Sequence, residues 1–250
     1  MSKNFADMPE IVEVIAENDE MFSGDTSRYF GVGQSALANI IQAMEVANKS
    51  NCQSILDMPC GYGRVLRFLR AKFPAAEITA CDLNPGAVDF CVSTFGVKGT
   101  YSQKYPDNLR LRDKFDLIWC GSLLTHLDLP LWKVFIDFFS DHLRESGILT
   151  FTTHGRLSVK WIFDHQYDYG LDRKDIPNIL NCYKSTGFGY LNYPHVAGYG
   201  ISIASPAKVL AELQCHADLK ILSFVEAGWD NHQDVISCIR KSGYMPKKLL

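Results

Sequence analysis

The chain has 250 residues, of which 47% are hydrophobic and 21% are charged, and this composition predicts a globular protein with a complete core. The formal net charge is −3 and the basic residues are scattered, so no nucleic-acid partner is expected. No segment approaches the roughly 18 apolar residues of a membrane span, and the first residues lack the apolar core of a signal peptide. We therefore expect a cytoplasmic protein that acts on small molecules.

Eight cysteines are present, yet no two have the Cys-x-x-Cys spacing that is typical of zinc and redox sites. Cys60, Cys81, Cys120 and Cys238 lie within apolar runs or at their ends, where a free thiol behaves as a small hydrophobic side chain. We predict buried, reduced thiols rather than a disulfide framework. Asp, Asn and His residues recur near one predicted edge, but their spacing matches no familiar ligand set, so no metal is predicted.

A regular alternation of strands and helices follows a helix that is predicted over 35–47. Strands are predicted at 53–58, 77–82, 97–102, 114–122 and 147–154, and the helices between them at 64–73, 85–95 and 130–143. Asn84 is the expected N-cap of the helix at 85–95, because Pro85 follows at the first helical position. The alternation predicts an α/β fold with a parallel sheet that helices cover on both faces.

An aromatic- and glycine-rich segment over 156–200 interrupts this alternation. It is too long for a bare loop, and we predict an insertion that acts as a lid within a single domain over 1–250. A helix at 206–214 follows, and then strands at 218–227 and 234–241 whose short connection predicts an antiparallel hairpin. The sequence therefore predicts a mostly parallel seven-stranded sheet with a C-terminal antiparallel hairpin.

The carboxyl ends of the predicted strands carry candidate ligand-binding residues, because ligands bind at that edge of an open parallel sheet. Gly61 and Gly63 allow the backbone to approach a ligand just before a helix N-terminus. Asp82 stands 19 residues after Gly63, close to the ~20 expected of a carboxylate that binds a ribose diol. Leu66 replaces the third glycine of a dinucleotide site, and Pro59 removes one N–H from the turn. A nucleoside without phosphates is therefore the better prediction.

The stretch ILDMPCGYG, residues 55–63, resembles motif I of the class I S-adenosylmethionine-dependent methyltransferases, and Asp82 matches the acid of that family's second motif. FDLIWCGSLLTHL and GILTFTTHG resemble the family's fourth and fifth strands. GWDNHQDVISCIRK is similar to the C-terminal strands of a bacterial subgroup, some of whose members are found alongside glycan-modifying enzymes. The resemblance implies a Rossmann-like class I methyltransferase fold and S-adenosylmethionine as the cofactor. Pro59 departs from the family, which usually has glycine there; proline favours an extended Met58, so the first strand should continue into the turn.

The resemblance also implies which residues hold the cofactor. They are Asp57, Cys60, Gly61 and Gly63 for the methionine part and the ribose, Asp82 and Leu83 for the ribose and the adenine edge, Ser102 and Gln103 for the adenine, and Cys120 and Ser122 for the cofactor's stem. Tyr29 and Arg64 are candidates for contact with the carboxylate, and a surface or packing role is an equal alternative for each.

Methyl transfer to a hydroxyl also requires that a proton leave, and histidine titrates near neutral pH. His126, His154 and His232 lie at predicted active-site ends, and His154 is the first candidate for the base. Each has a structural alternative: a bond to the backbone, a role in a buried loop, or a place in a polar turn. Asp230 is a candidate partner that orients a histidine.

The sequence thus predicts an S-adenosylmethionine-dependent methyltransferase that methylates a hydroxyl of a small molecule or glycan beneath the insertion. An NAD-dependent oxidoreductase is an alternative, because such an enzyme has the same kind of sheet and ribose acid, but this chain lacks the third glycine of a dinucleotide site. A non-catalytic nucleotide-binding module is a further alternative. Oxygen, nitrogen and carbon acceptors are all compatible with this scaffold at the level of sequence.

Overall fold

The computed structural model describes residues 10–109, 111, 113–194 and 196–243. In chain order the helices and strands are α1 (Thr26–Val46), β1 (Ser54–Asp57), α2 (Leu66–Lys72), β2 (Glu77–Asp82), α3 (Pro85–Phe95), β3 (Lys98–Tyr101), β4 (Phe115–Cys120), α4 (Leu129–His142), β5 (Leu143–Thr153), α5 (Arg156–Phe163), α6 (Ile176–Thr186), β6 (Phe188–Asn192), β7 (Gly200–Ala204), α7 (Pro206–Gln214), β8 (Leu219–Trp229) and β9 (Gln233–Arg240). None of the helices in these ranges is long and apolar enough to cross a membrane.

Seven strands form the central sheet in the order β3-β2-β1-β4-β5-β9-β8. The strands from β1 to β5 pair in parallel, whereas β9 is antiparallel to both β5 and β8. The predicted α/β fold, with its mostly parallel seven-stranded sheet and C-terminal hairpin, is confirmed. Two boundaries differ from the prediction by four residues or more: α1 begins at Thr26 because the Asp25 carboxylate accepts a hydrogen bond from the Arg28 amide, and β5 begins at Leu143, which pairs with Phe115.

The sheet is buried on both faces because successive residues of each central strand point to opposite sides. Ile55 packs into a core that contains α1, α2 and α3, and its neighbour Leu56 packs into a second core that contains α4 and α7. The predicted buried free thiols are found at Cys52, Cys60, Cys81, Cys91, Cys120 and Cys238. Cys182 and Cys215 are exposed instead, because they lie on solvent-facing turns of α6 and after α7.

The aromatic-rich segment folds as α5, α6 and the hairpin of β6 and β7, which form a separate two-stranded antiparallel sheet. A small apolar core joins these elements, and it includes Ile162, Ile179 and Ile203. The Ala204 amide donates to the carbonyl oxygen of His154 at 2.9 Å, so this hairpin is attached directly to the end of β5. The segment therefore covers the carboxyl edge of the main sheet.

The turn after β1 is packed tightly against α3. Gly63 has a φ of +78°, and a Cβ at this position would lie 2.5 Å from Cε2 of Phe95 and 3.2 Å from Sγ of Cys91. A left-handed conformation costs a residue with a side chain about 1–2 kcal/mol, and overpacking adds about 1–3 kcal/mol. Only glycine meets both demands at this position.

We expect Gly63→Ala to lower the stability of the protein by about 2–4 kcal/mol, or ~5–12 °C in Tm, because of this strain and collision. The matched control is Gly31→Ala in α1, where no described atom lies within 4 Å of the added methyl group and φ is ordinary. That substitution should raise stability by about 0.5–1 kcal/mol. Thermal and urea denaturation measure both effects; equal stability of the two variants would contradict the tight turn.

Candidate functional site

A cavity of about 600 Å³ lies at the carboxyl ends of β1, β2 and β4, within the usual size range of ligand sites. It is called the cofactor cavity below, after the predicted residues that line it. Nine of the twelve predicted cofactor residues line it, namely Asp57, Cys60, Gly61, Arg64, Asp82, Leu83, Ser102, Gln103 and Ser122. Of the described residues, Gly63 and Cys120 do not line it, because Gly63 faces α3 and Cys120 packs in the core on the α4 side. Tyr29 lines a smaller neighbouring cavity.

The turn after β1 is joined to the end of β2 by hydrogen bonds to one carboxylate. The backbone amide of Gly61 donates to Oδ2 of Asp82 at 2.8 Å, and the backbone amide of Asn84 donates to Oδ1 of Asp82 at 2.9 Å. Asn84 caps α3, as predicted, by accepting from the Gly86 amide at 3.0 Å. Met58 continues the pairing of β1 with β4 as expected, because its backbone amide donates to the carbonyl oxygen of Trp119. The peptide bond between Met58 and Pro59 is cis. Asp82 is therefore held with its carboxylate at the cavity.

Asp57 lines the cavity but is 1% exposed, and neither carboxylate oxygen has a hydrogen-bond partner among the described residues. Burial, and then the negative charge of Asp82, raises the pKa of Asp57 well above its usual value. An unpaired buried carboxyl group at a cavity favours a cationic ligand, which restores the charged form. The ammonium and sulfonium groups of S-adenosylmethionine meet this requirement, so the site fits the predicted cofactor.

Arg64 lies between the two cavities and lines both of them. Its guanidinium carbon is 5.9 Å from the centre of the Tyr29 ring and 5.8 Å from that of Trp229, and no described residue accepts a hydrogen bond from it. Burial lowers the pKa of Arg64. Tyr29 has a packing role, since its buried hydroxyl donates to Asp19 at 2.5 Å. Of the two carboxylate candidates, Arg64 thus carries the unpaired charge.

The smaller cavity, of about 320 Å³, is polar and is called the polar recess below. Its lining includes Arg28, Tyr29, Tyr167, Asp230, His232 and Gln233, and it shares Met21, Arg64, Ser122 and Trp229 with the cofactor cavity. Asp230 pairs with Arg28 at 3.2 Å rather than with a histidine. The recess thus adjoins the cofactor cavity along a boundary of four shared side chains.

The three predicted histidines lie together at the carboxyl edge. The ring centres of His126 and His154 are 6.4 Å apart, and those of His154 and His232 are 5.3 Å apart. His232 lines the recess, and Nε2 is 2.5 Å from the hydroxyl of Tyr169. His154 is 2% exposed and lines neither of these two cavities of the described chain, and its Nδ1 is 3.2 Å from the carbonyl oxygen of Ser202.

The aromatic segment surrounds these histidines and changes their acidity. Nδ1 of His126 lies 2.9 Å from the Gly200 carbonyl, and the His126 ring stacks on Tyr199 at 4.9 Å. Burial lowers the pKa of His126 and of His232, and lowers that of His154 furthest, with the other two histidines adding to the effect. All three imidazoles are therefore neutral near pH 7. Within the described ranges, no group of three histidine, cysteine or acidic side chains is arranged to hold a metal ion.

Two parts of the site have no clear signal in the sequence. The irregular segment 10–25 supplies Asp19 and Met21 to the cofactor cavity, and Arg67 holds it by donating to the carbonyl oxygens of Val12 and Val14 at 2.7 and 3.0 Å. Tyr169 reaches His232 from the insertion. Apolar periodicity does not report such contacts, because irregular backbone carries no repeating pattern.

Comparison with known proteins agrees with this geometry. Residues 55–147 match the family model of a methyltransferase domain. Over 140 residues the chain is 25% identical to the malonyl-[acyl-carrier protein] O-methyltransferase of Acetivibrio thermocellus, an alignment that covers 55% of this chain and 49% of that protein. The chain spans half or less of the length of the curated relatives that it matches.

Two solved structures have the same fold. The PH0226 protein from Pyrococcus horikoshii OT3 aligns with a TM-score of 0.61 at 13% identity, over 91% of this chain and 97% of its own. S-adenosylmethionine-bound CalS10, an amino pentose methyltransferase from Micromonospora echinaspora, aligns with a TM-score of 0.57 at 15% identity, over 88% and 98%. Residues 55–147 therefore match a methyltransferase domain, and the chain is similar to class I S-adenosylmethionine-dependent methyltransferases in this part of its sequence and in its fold.

Proposed function

We propose that the protein transfers the methyl group of S-adenosylmethionine to a hydroxyl group of a small molecule or glycan in the polar recess. The observation that carries the proposal is the boundary between the two cavities, where Met21, Arg64, Ser122 and Trp229 line both. A cofactor on one side and an acceptor on the other would meet across this boundary. Such placement supplies most of the rate of a displacement reaction, since effective molarities reach about 10⁵–10⁸ M.

The predicted cofactor contacts suit the parts of a charged nucleoside. Asp57 supplies a negative charge for the cationic groups, Asp82 accepts from the ribose diol, and Arg64 offers a cation to the carboxylate. When bound, S-adenosylmethionine supplies a methyl group that its sulfonium activates. The match of residues 55–147 to a methyltransferase domain supports this function over the NAD-dependent oxidoreductase alternative. A non-catalytic binding module would bind the cofactor and transfer nothing, which the transfer assay below decides.

We assign the general base to His232 rather than to His154, because His232 lines the recess. The acceptor oxygen bonds to the methyl carbon, the electron pair of the broken carbon–sulfur bond stays on sulfur, and the hydroxyl proton passes to His232. Burial lowers the pKa of His232, so the ring is neutral at pH 7. In the tautomer whose Nε2–H donates to Tyr169, Nδ1 has a free lone pair for this proton.

A hydroxyl acceptor is supported by two further observations. Trp161 lies 4.9 Å from the His232 ring and Tyr167 lines the recess, and aromatic rings of this kind pack against the apolar faces of sugar rings. The curated relatives are named as O-methyltransferases. The insertion, in this proposal, is a lid that holds the acceptor against the boundary.

Ligand-dependent melting tests the cofactor assignment. At 100 times Kd, S-adenosylmethionine or S-adenosylhomocysteine should add about 2.7 kcal/mol of stability, a rise of ~5–10 °C in Tm, and NAD should add none. Asp82→Ala should abolish the rise, because it removes both the diol acceptor and the anchor of the Gly61 amide. Asp141→Ala, an exposed carboxylate on α4, is the control and should keep it. An unchanged rise in Asp82→Ala would refute the ribose role.

The pH dependence of methyl transfer tests the base. With labelled S-adenosylmethionine and a panel of monosaccharides, kcat on the best acceptor should fall only below pH 6.5, because burial lowers the pKa of His232 and a base must be neutral. His232→Asn should lower kcat by about 10²–10⁴-fold and remove this acid limb. His165→Asn, an exposed histidine of the insertion, should change neither. If the acid limb persists in His232→Asn and disappears in His154→Asn, the base is His154.

A further inference from the structure

Ser122, at the boundary of the two cavities, has a backbone conformation that residues with side chains rarely adopt. Its φ is +58°, in the left-handed region. Such a conformation costs about 1–2 kcal/mol and persists only where neighbouring groups hold it. Ser122 lines both the cofactor cavity and the polar recess. We therefore asked which contacts fix this residue.

Three hydrogen bonds from two neighbouring strands hold Ser122. Its amide donates to Oγ1 of Thr152 on β5 at 2.8 Å. The Thr152 hydroxyl lies 2.6 Å from Oε1 of Gln233, the first residue of β9, and Nε2 of Gln233 lies 3.1 Å from Oγ of Ser122. Thr152 is 0% and Gln233 is 7% exposed. The three residues form a closed ring of hydrogen bonds, called the Ser122 ring below.

The direction of each hydrogen bond in this ring follows from its chemistry. The Ser122 amide can only donate, so Thr152 accepts from it and gives its own hydrogen to Gln233. The two side-chain distances agree, since 2.6 Å is typical of O–H···O and 3.1 Å of N–H···O. Gln233 therefore donates to Ser122, and the hydroxyl hydrogen of Ser122 is not used in the ring. Thr125, at 3.4 Å, is the other hydroxyl near Ser122 among the described residues, and that distance is long for an O–H···O bond.

We propose that the Ser122 hydroxyl donates a hydrogen bond to the acceptor atom and thereby selects oxygen over nitrogen nucleophiles, with Thr152 and Gln233 as positioning residues. This rests on the proposed function. A hydroxyl oxygen has two lone pairs and one hydrogen: one pair accepts from Ser122, the hydrogen goes to His232, and the other pair attacks the methyl carbon. A neutral amine has one lone pair. It cannot accept from Ser122 and attack at the same time.

Hydrogen exchange tests the Ser122 ring without any acceptor. Thr152→Val keeps the shape of the side chain and removes the oxygen that accepts from the Ser122 amide. Exchange of that amide should become at least about tenfold faster, relative to exchange of the Trp119 amide within β4. Thr150→Val is the matched control, because Thr150 is buried on the same face of β5 and its hydroxyl bonds to Ser237 instead. Unchanged protection of Ser122 in Thr152→Val would overturn the ring.

Transfer to paired acceptors tests the selectivity. The full chain is assayed with labelled S-adenosylmethionine, once with monosaccharides and once with the corresponding amino sugars as acceptors. Ser122→Gly removes the hydroxyl and tolerates the positive φ, and Gln233→Glu replaces the donor amide by an acceptor that captures the Ser122 hydrogen. Both should reduce O-methylation by about 10–100-fold, as expected for one lost hydrogen bond, and lower the ratio of O-methylation to N-methylation in the same variant by about the same factor.

The outcomes separate the two proposals. Absence of an S-adenosylmethionine-induced melting shift together with absence of transfer would refute the proposed function, and amide exchange would still decide the Ser122 ring. Efficient transfer to sugars that survives in both Ser122→Gly and Gln233→Glu would overturn the role of Ser122 and leave the proposed function in place. Preference of the unchanged protein for amino sugars would overturn the selection of oxygen.

Discussion

The hydrogen bond from the Gly61 amide to Asp82 is the contact on which the cofactor site depends. It joins the turn after β1 to the end of β2, and it therefore sets where Asp57 and Asp82 stand in the cavity. Asp57, four residues before Gly61, is enclosed by the same turn with no partner among the described residues. The cost of that buried carboxyl group is an electrostatic demand for a cationic ligand, and the family's cofactor meets it.

Burial acts in opposite directions on the two kinds of titratable group in the site. It raises the pKa of Asp57, whose charged form is an anion, and lowers the pKa of His232, whose charged form is a cation. On the cofactor side, this leaves a carboxyl group that a cation stabilises. In the polar recess, it leaves a neutral imidazole that is able to take a proton at pH 7. Burial by two different parts of the chain, the turn after β1 at Asp57 and the insertion at His232, thus has opposite effects in the two cavities.

The antiparallel strand β9 positions residues of the polar recess. Its pairing with β5 sets Asp234 opposite Thr153, and so brings Gln233 to Thr152 and His232 to the ring of His154. The parallel strands alone end in the cofactor cavity. The two cavities therefore draw on different parts of the chain. The ends of β1, β2 and β4, with residues 196–199 of the insertion, line the cofactor cavity, whereas α1, Tyr167 and the turn between β8 and β9 line the polar recess.

Local sequence determined the alternation of strands and helices, the N-cap at Asn84, and the placement of Asp82 beside the glycine turn. These features could be predicted because each depends on residues close together in the chain, where apolar period, capping chemistry and glycine spacing carry the signal. The twelve cofactor candidates came from the resemblance to a methyltransferase family, and nine of them line the cavity. Cys120 does not line it, since a residue at a strand end faces either side of the sheet and only packing decides which.

Tertiary structure alone decided the Ser122 ring and the lining of the polar recess. Ser122 and Gln233 are 111 residues apart, and Thr152 and Gln233 are 81 apart, so their ring exists only once β9 has paired with β5 in one register. The sequence named the three histidines separately, but the contact of His232 with Tyr169 depends on how the insertion folds back over the sheet. Such long-range contacts leave no periodic signal in one sequence, because they depend on strand register and on the packing of distant segments.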